Sequence, residues 1–162
     1  MLSFPRRLGV SLLILGAPLC AALALEHAAS SRLLQPVRFF DVPSQAAEFI
    51  GYNRSITLTA EQRKVRDTAL AAIPAACCEK FSQATCCCPC NLAKSVWGLS
   101  NYLIARRNAT VPELQTAVRG WMKFVNTGGF SGDACDTPDG CGQTFSRGGC
   151  GGMDEGNLLA AR

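Results

Sequence analysis

Residues 85–91 read TCCCPCN, which places four cysteines in five positions. From residue 25 onward the chain carries nine: Cys77, Cys78, Cys86, Cys87, Cys88, Cys90, Cys135, Cys141 and Cys150. So many thiols in so short a chain point to a fold organised by sulfur, through disulfides, a thiolate metal site or a redox pair. Spacing restricts the disulfide choice. Neighbouring Cα atoms lie about 3.8 Å apart, whereas an unstrained disulfide wants roughly 4.4 to 6.8 Å. Cys86, Cys87 and Cys88 are therefore not expected to bridge one another, and with Cys90 they face five remote partners. Four bridges and one thiol left over would result, a hub tying an upstream helix and the tail to the cluster. A Cys90–Cys135 bridge alone would close about 46 residues, worth on the order of 4 kcal/mol in the chain-entropy account.

The compartment follows from the N-terminus. Arg6 and Arg7 precede the apolar run LGVSLLILGAP, and Ala22-Leu23-Ala24 offers a small-x-small exit. That order is the pattern of a secretory signal peptide, with cleavage expected after Ala24. An uncleaved membrane anchor through residues 8–25 is the second reading, since the apolar stretch reaches the lower edge of a spanning length. Lipidation at Cys20 is not expected, because Leu19 sits where a small residue belongs. The protein is thus expected to be exported, to the periplasm or the outside, where thiols tend to oxidise. Without Arg6 and Arg7, 14 of the 16 basic residues remain against 12 acidic ones. No basic stripe interleaved with aromatics is present, and nucleic acid is not an expected partner.

The chain divides into parts. Residues 25–57 show no sustained period and read as an extended arm or spacer, in which VPSQAAEFIG would make a short helix with Pro43 in its first turn and Gly51 as its C-cap. A cysteine-rich helical domain is expected over 58–156, with a tail over 157–162. Thr59 and Gln62 form a capping-box pattern, and Val65, Ala69, Ala72 and Ile73 share a face, which predicts a helix over about 60–73 that Pro74 ends. Asn91 is the expected cap of a second helix, with Leu92, Val96, Trp97, Leu99, Leu103 and Ile104 on its apolar side, Arg106 and Arg107 in its last turn and Asn108 as its stop. TVPE opens a third, with Thr110 as cap, Pro112 in the first turn and Glu113 closing the box; Leu114, Ala117, Val118, Trp121, Phe124 and Val125 are its buried face. Residues 126–156 hold ten glycines. Such a segment cannot build a core alone, and Cys135, Cys141 and Cys150 are its expected pins. The fold expected is mainly α, a small three-helix domain with a glycine-rich, cysteine-pinned C-terminal segment.

Three functions compete for the cluster. The first is a disulfide-stabilised binding or interaction domain without catalytic machinery or cofactor, whose partner is an unknown protein or small ligand. The second is a thiolate metal site for Cu(I) or Zn, using the C-x-x-C of Cys87 to Cys90 and drawing on Cys77, Cys78, Cys86, Cys87, Cys88 and Cys90, with the tail as a further source of ligands. His27, the only histidine, adjoins the cleavage site, so such a site would be all thiolate. The third is a thiol–disulfide oxidoreductase: CCPC resembles the C-x-P-C active site of thioredoxin-like enzymes over four residues, and the resemblance implies Cys87 as attacking thiol and Cys90 as resolving thiol. No β-strand leads into it and no βαβ pattern follows.

A broader likeness covers the Cys77–Cys90 block, the WGLSNYLI helix, FSGDAC and GGCGGM. Together these resemble exported, cysteine-rich bacterial proteins of unknown function named for a PCYCGC cluster, here written CCCPC. The resemblance implies an exported domain and lends no catalytic residue. Asp133, Asp136 and Asp139 read as turn residues, since their spacing does not fit an EF-hand. Asn53 and Asn108 stand in glycosylation sequons. Trp97 and Trp121 fall on apolar helical faces and are expected in the core. With no usable histidine, no Ser-His-Asp set can form.

Overall fold

A computed structural model describes residues 35–136 and 142–158, apart from the side chains of residues 135, 157 and 158. The signal-peptide and anchor readings, His27 and Asp139 with Cys141 lie outside the described residues. The described residues belong to one compact unit. It is mainly helical, with no strand among the described residues: α1 (Val42–Ser55), α2 (Ala60–Ala71), α3 (Asn91–Arg107) and α4 (Val111–Val125), followed by short 3₁₀ turns. No helix among the described residues is long and apolar enough to cross a membrane.

Three of these helices answer to their sequence signals. The capping box of α2 is formed, with Gln62 N–H donating to Thr59 Oγ1 and Thr59 N–H to Gln62 Oε1. Asn108 ends α3 in the left-handed region at φ 52°, a conformation asparagine tolerates better than most residues. At the start of α4 the Glu113 carboxylate accepts from both the N–H and the hydroxyl of Thr110. Leu114, Val118, Trp121 and Val125 then recur at steps of four and three along the buried face of α4. Burying a side chain as large as Trp121 completely makes it the main anchor of that face.

α1 departs from expectation. The segment read as an arm with a short helix ending at Gly51 is a 14-residue helix capped by Asp41, which accepts from Ser44 N–H, and it continues through Gly51 to Ser55. Ala46, Phe49 and Ile50 are buried in the common core. A fourth helix thus joins the three expected ones. The crossing of α1 on α3 depends on Gly98, where a Cβ would fall 1.6 Å from the Phe49 carbonyl oxygen. Only glycine lets the two backbones meet there. Phe39, ahead of α1, and Phe49 both pack on Trp121, with ring centroids 5.3 and 5.0 Å away. Trp121 Nε1 is satisfied within the core by Ser95 Oγ at 2.9 Å.

Between α2 and α3 the chain makes a tight loop. Gln83 N–H bonds to Ile73 O at 2.8 Å and Ala75 N–H to Phe81 O at 2.9 Å. Cys77 and Cys78 lie near its tip, both buried. The indole of Trp97 fixes the loop to α3 by donating to Gln83 O at 2.7 Å.

Candidate functional site

The cysteines are organised by the N-terminus of α3. The helix begins at Asn91, so its cap is Cys90 rather than Asn91, as expected from the sequence; Cys90 Sγ accepts from Ala93 N–H at 3.5 Å. The first N–H groups of any helix lack partners within it. Here the glycine-rich tail supplies them. Asn91 N–H donates to Gly152 O at 2.8 Å and Leu92 N–H to Cys150 O at 3.0 Å. The Asn91 side chain, freed from capping, donates through Nδ2 to Gly151 O at 2.7 Å and Asp154 O at 2.9 Å. Lys94 Nζ reaches Met153 O at 3.0 Å and the Glu155 carboxylate at 3.3 Å, while Arg54 of α1 pairs with the same carboxylate. Gly151 and Gly152 take φ of +77° and +63°, which turns their carbonyls onto the helix end. Phe145 anchors the preceding turn in the core. The tail is therefore held by main-chain hydrogen bonds to α3, and Cys150 is carried to the side of Cys90.

Four sulfurs converge as a result. Cys90 Sγ is in hydrogen-bond contact with Cys150, Cys77 and Cys86, and Cys86 also contacts Cys77. These residues come from three separate places: the 74–82 loop, the start of α3 and the tail. Cys77, Cys90 and Cys150 are buried, while Cys86 is half-buried. No disulfide joins any two of the described cysteines. Nor do any three His, Cys, Asp or Glu side chains among the described residues stand ready to hold a metal ion.

The electrostatics of the cluster are uneven. Hydrogen bonds from the Cys77 and Cys90 thiols hold Cys86 well below the usual thiol range, at about 3, and the N–H of Cys88 adds to this. Cys150 is lowered to about 7, chiefly by the Cys90 thiol, with the N–H groups of Gly152 and of Cys150 itself contributing. Cys90 moves the other way, first through its hydrogen bond to Cys150, then through those to Cys77 and Cys86, with burial adding. Sulfurs in contact cannot all ionise without a cation among them, so the central one keeps its proton. Cys86, Cys90 and Cys150 each also face a main-chain N–H two or three residues further on. Such N–H···S contacts orient a thiolate and spread its charge.

The protein-family models, the curated proteins and the solved structures contain no match to this chain. Its chemistry has to be read from the residues themselves.

The remaining cysteines sit differently. Cys78 is buried beside the cluster. Cys87 is exposed and its Sγ lies 3.4 Å from that of half-buried Cys88. The C-x-x-C of the oxidoreductase reading therefore has its last cysteine, not its first, at the helix cap. The positive end of α3 falls on Cys90, three residues beyond Cys87. The sequence placed Cys77, Cys86 and Cys90 among candidate ligands and Cys150 among the bridging partners; the fold brings all four together. Asn91, Lys94 and the Gly151–Gly152 pair, which build the docking site of the tail, carried no legible signal beyond the glycines flanking Cys150. Beside Cys77 and Cys150 lies a cavity of about 250 Å³, lined also by Asp133 and Gln143. A larger one, of about 510 Å³, lies between the 74–82 loop, α4 and residues 127–132, with Arg119, Lys123, Glu79 and Phe130 on its walls.

Proposed function

We propose that this chain is an exported metal-binding domain in which Cys77, Cys86, Cys90 and Cys150 hold a single Zn²⁺ or Cu(I). One observation carries the reading: Cys90 Sγ contacts three other cysteine sulfurs drawn from three segments of the chain. Four thiolates satisfy tetrahedral Zn²⁺, and clustered soft thiolates also select Cu(I). The bound cation would replace the Cys90 proton and remove the conflict among the sulfurs, and the N–H groups of Cys88, Ala93 and Gly152 would fix the thiolates in orientation. The ion would then join the loop after α2, the start of α3 and the tail, the same three parts a disulfide hub was expected to tie.

That hub is the second reading. The same contacts, Cys77 with Cys86 and Cys90 with Cys150, would also serve as two bridges, and the leader-like residues 1–24 favour an oxidising compartment. The domain would then be a sulfur-stapled scaffold for binding, with the 510 Å³ cavity as its first candidate surface.

Intact mass of the full chain, purified from an export-competent host and measured natively without alkylation and then, in a separate aliquot, after denaturation with thiol alkylation, tests the choice. The metal reading expects a native mass excess of one ion that vanishes on denaturation, with at least four alkylated thiols. Four bridges, one alkylated thiol and no excess mass would overturn it in favour of the hub.

A further inference from the structure

We infer that the cavity of about 510 Å³ between the 74–82 loop, α4 and residues 127–132 binds a short peptide with free ends and apolar side chains. No cysteine lines this cavity, so the inference holds whether the sulfurs carry a metal or form bridges. Its size falls within the ~300 to 1,000 Å³ typical of ligand pockets. The walls are set before a ligand arrives. Arg119 Nη2 donates to Ala72 O at 2.8 Å, which ties the guanidinium to the end of α2. Asn126 accepts from Gly128 N–H at 3.1 Å through Oδ1 and donates to Gly129 O through Nδ2, shaping the turn that leads to Phe130. Glu79 N–H bonds to Gly132 O at 2.9 Å. Gly132 has φ of +76°, and a Cβ there would stand 3.3 Å from Glu79 Cβ and 3.4 Å from its Oε2, so glycine makes room for this carboxylate.

The lining selects the ligand. Ile73, Pro74, Met122 and Phe130 offer an apolar surface that aliphatic or aromatic side chains would cover. Arg119 and Lys123 are four residues apart and share one side of α4, while Glu79 belongs to the loop wall. Among the described residues no ion pair joins Glu79 to either cation, and neither Lys123 Nζ nor the Glu79 carboxylate has a hydrogen-bond partner. Cations on one wall and a carboxylate on another, with an apolar floor between, match a ligand that is negative at one end and positive at the other. In a free amino acid both charges sit on the same carbon. A short peptide separates them and places side chains between. Its C-terminal carboxylate would bond to the Arg119 fork and to Lys123, and its N-terminal ammonium to Glu79.

The test is isothermal titration calorimetry of the full chain with the tripeptide Leu-Ala-Leu and with its N-acetylated and C-amidated forms. The free tripeptide is expected to bind once per chain, and each blocked form about tenfold more weakly, because each loses a hydrogen bond between charged groups. Glu79→Gln should weaken the free tripeptide and leave the acetylated form unchanged, and Lys123→Gln should do the same with the amidated form. Both side chains are exposed, so the fold does not depend on them. Absence of binding by all three forms overturns the site, and equal binding of all three overturns the charge match. A loss with the amide alone overturns the role of Glu79 and with it a peptide as the ligand. None of these outcomes bears on the sulfur centre, which the mass measurement judges separately.

Discussion

The main-chain N–H of Leu92, in the first turn of α3, donates to the carbonyl of Cys150 at 3.0 Å, across 58 positions of sequence. Through this bond and its neighbour from Asn91, the end of one helix selects which tail cysteine reaches the thiol cluster. The docking should be breakable without touching sulfur. Gly151 has φ of +77°, and a Cβ there would lie 3.1 Å from the Phe145 ring and 3.2 Å from Asn91 Cβ. Gly151→Ala is expected to cost about 1 to 2 kcal/mol in backbone conformation, released by local opening of the tail. In reduced, metal-free protein, alkylation of Cys150 should accelerate by about tenfold, the equivalent of 1.4 kcal/mol. An unchanged rate would mean that the tail is held chiefly by something else.

Two glycines in helices should respond in opposite directions. Gly51 in α1 has open space where a Cβ would go, so Gly51→Ala is expected to stabilise by about 0.5 to 1 kcal/mol through helix propensity. Gly98→Ala would gain the same propensity but drives a methyl group into the Phe49 main chain. Steric conflict wins there, with a net loss of about 3 kcal/mol, at the upper end of overpacking costs. Urea denaturation of both variants checks the contrast, and a neutral Gly98→Ala would contradict the close α1–α3 crossing.

Removing one ligand from the proposed centre should show which sulfurs share it. Disturbing only the second shell of a metal site typically costs about 10 to 100-fold in affinity. Cys86→Ser, Cys90→Ser and Cys150→Ser are each expected to weaken competition against a chelator by more than that. Cys78→Ala, outside the four, should keep one ion per chain. Chelation of the wild type should also lower its melting temperature, because a bound ion contributes its binding energy to folding. Equal effects of all four substitutions would dismiss the assigned ligand set.

The pH dependence has a clear sign at Tyr52. Its hydroxyl donates to the Glu48 carboxylate, and that bond, with burial and the Glu48 charge adding, pushes the phenol up to about 12. A group whose pKa is raised on folding contributes stability below its unfolded value, about 10, and loses it as pH climbs toward 12. The contribution should thus be intact at neutral pH and fade between pH 10 and 12. Ultraviolet titration of the phenols should show a late transition near 12 that moves downward in Glu48→Gln.

Much of the helical scaffold was legible, because its signals are local. The Thr59–Gln62 box, the Asn108 stop and the Thr110–Glu113 pair each act within one turn, and the period of Leu114, Val118, Trp121 and Val125 states which face turns inward. α1 was only half legible. Gly51 resembles a helix end, but with nothing crowding it the helix simply continues, and the burial of Phe49 depends on Gly98, 49 residues away.

The sequence by itself determined a small helical protein rich in cysteine, and it excluded bridges within Cys86-Cys87-Cys88, since bond lengths and Cα spacing are properties of neighbours. Which cysteines meet was decided by tertiary structure alone. Cys90 caps α3 because the helix starts one residue earlier than the Asn91 signal suggested, which left the Asn91 amide to hold the tail. Cys150 arrives beside it because helix N-terminal donors need acceptors and the carbonyls flanking Cys150 supply them. Those requirements span most of the domain, and no count or spacing of cysteines encodes them.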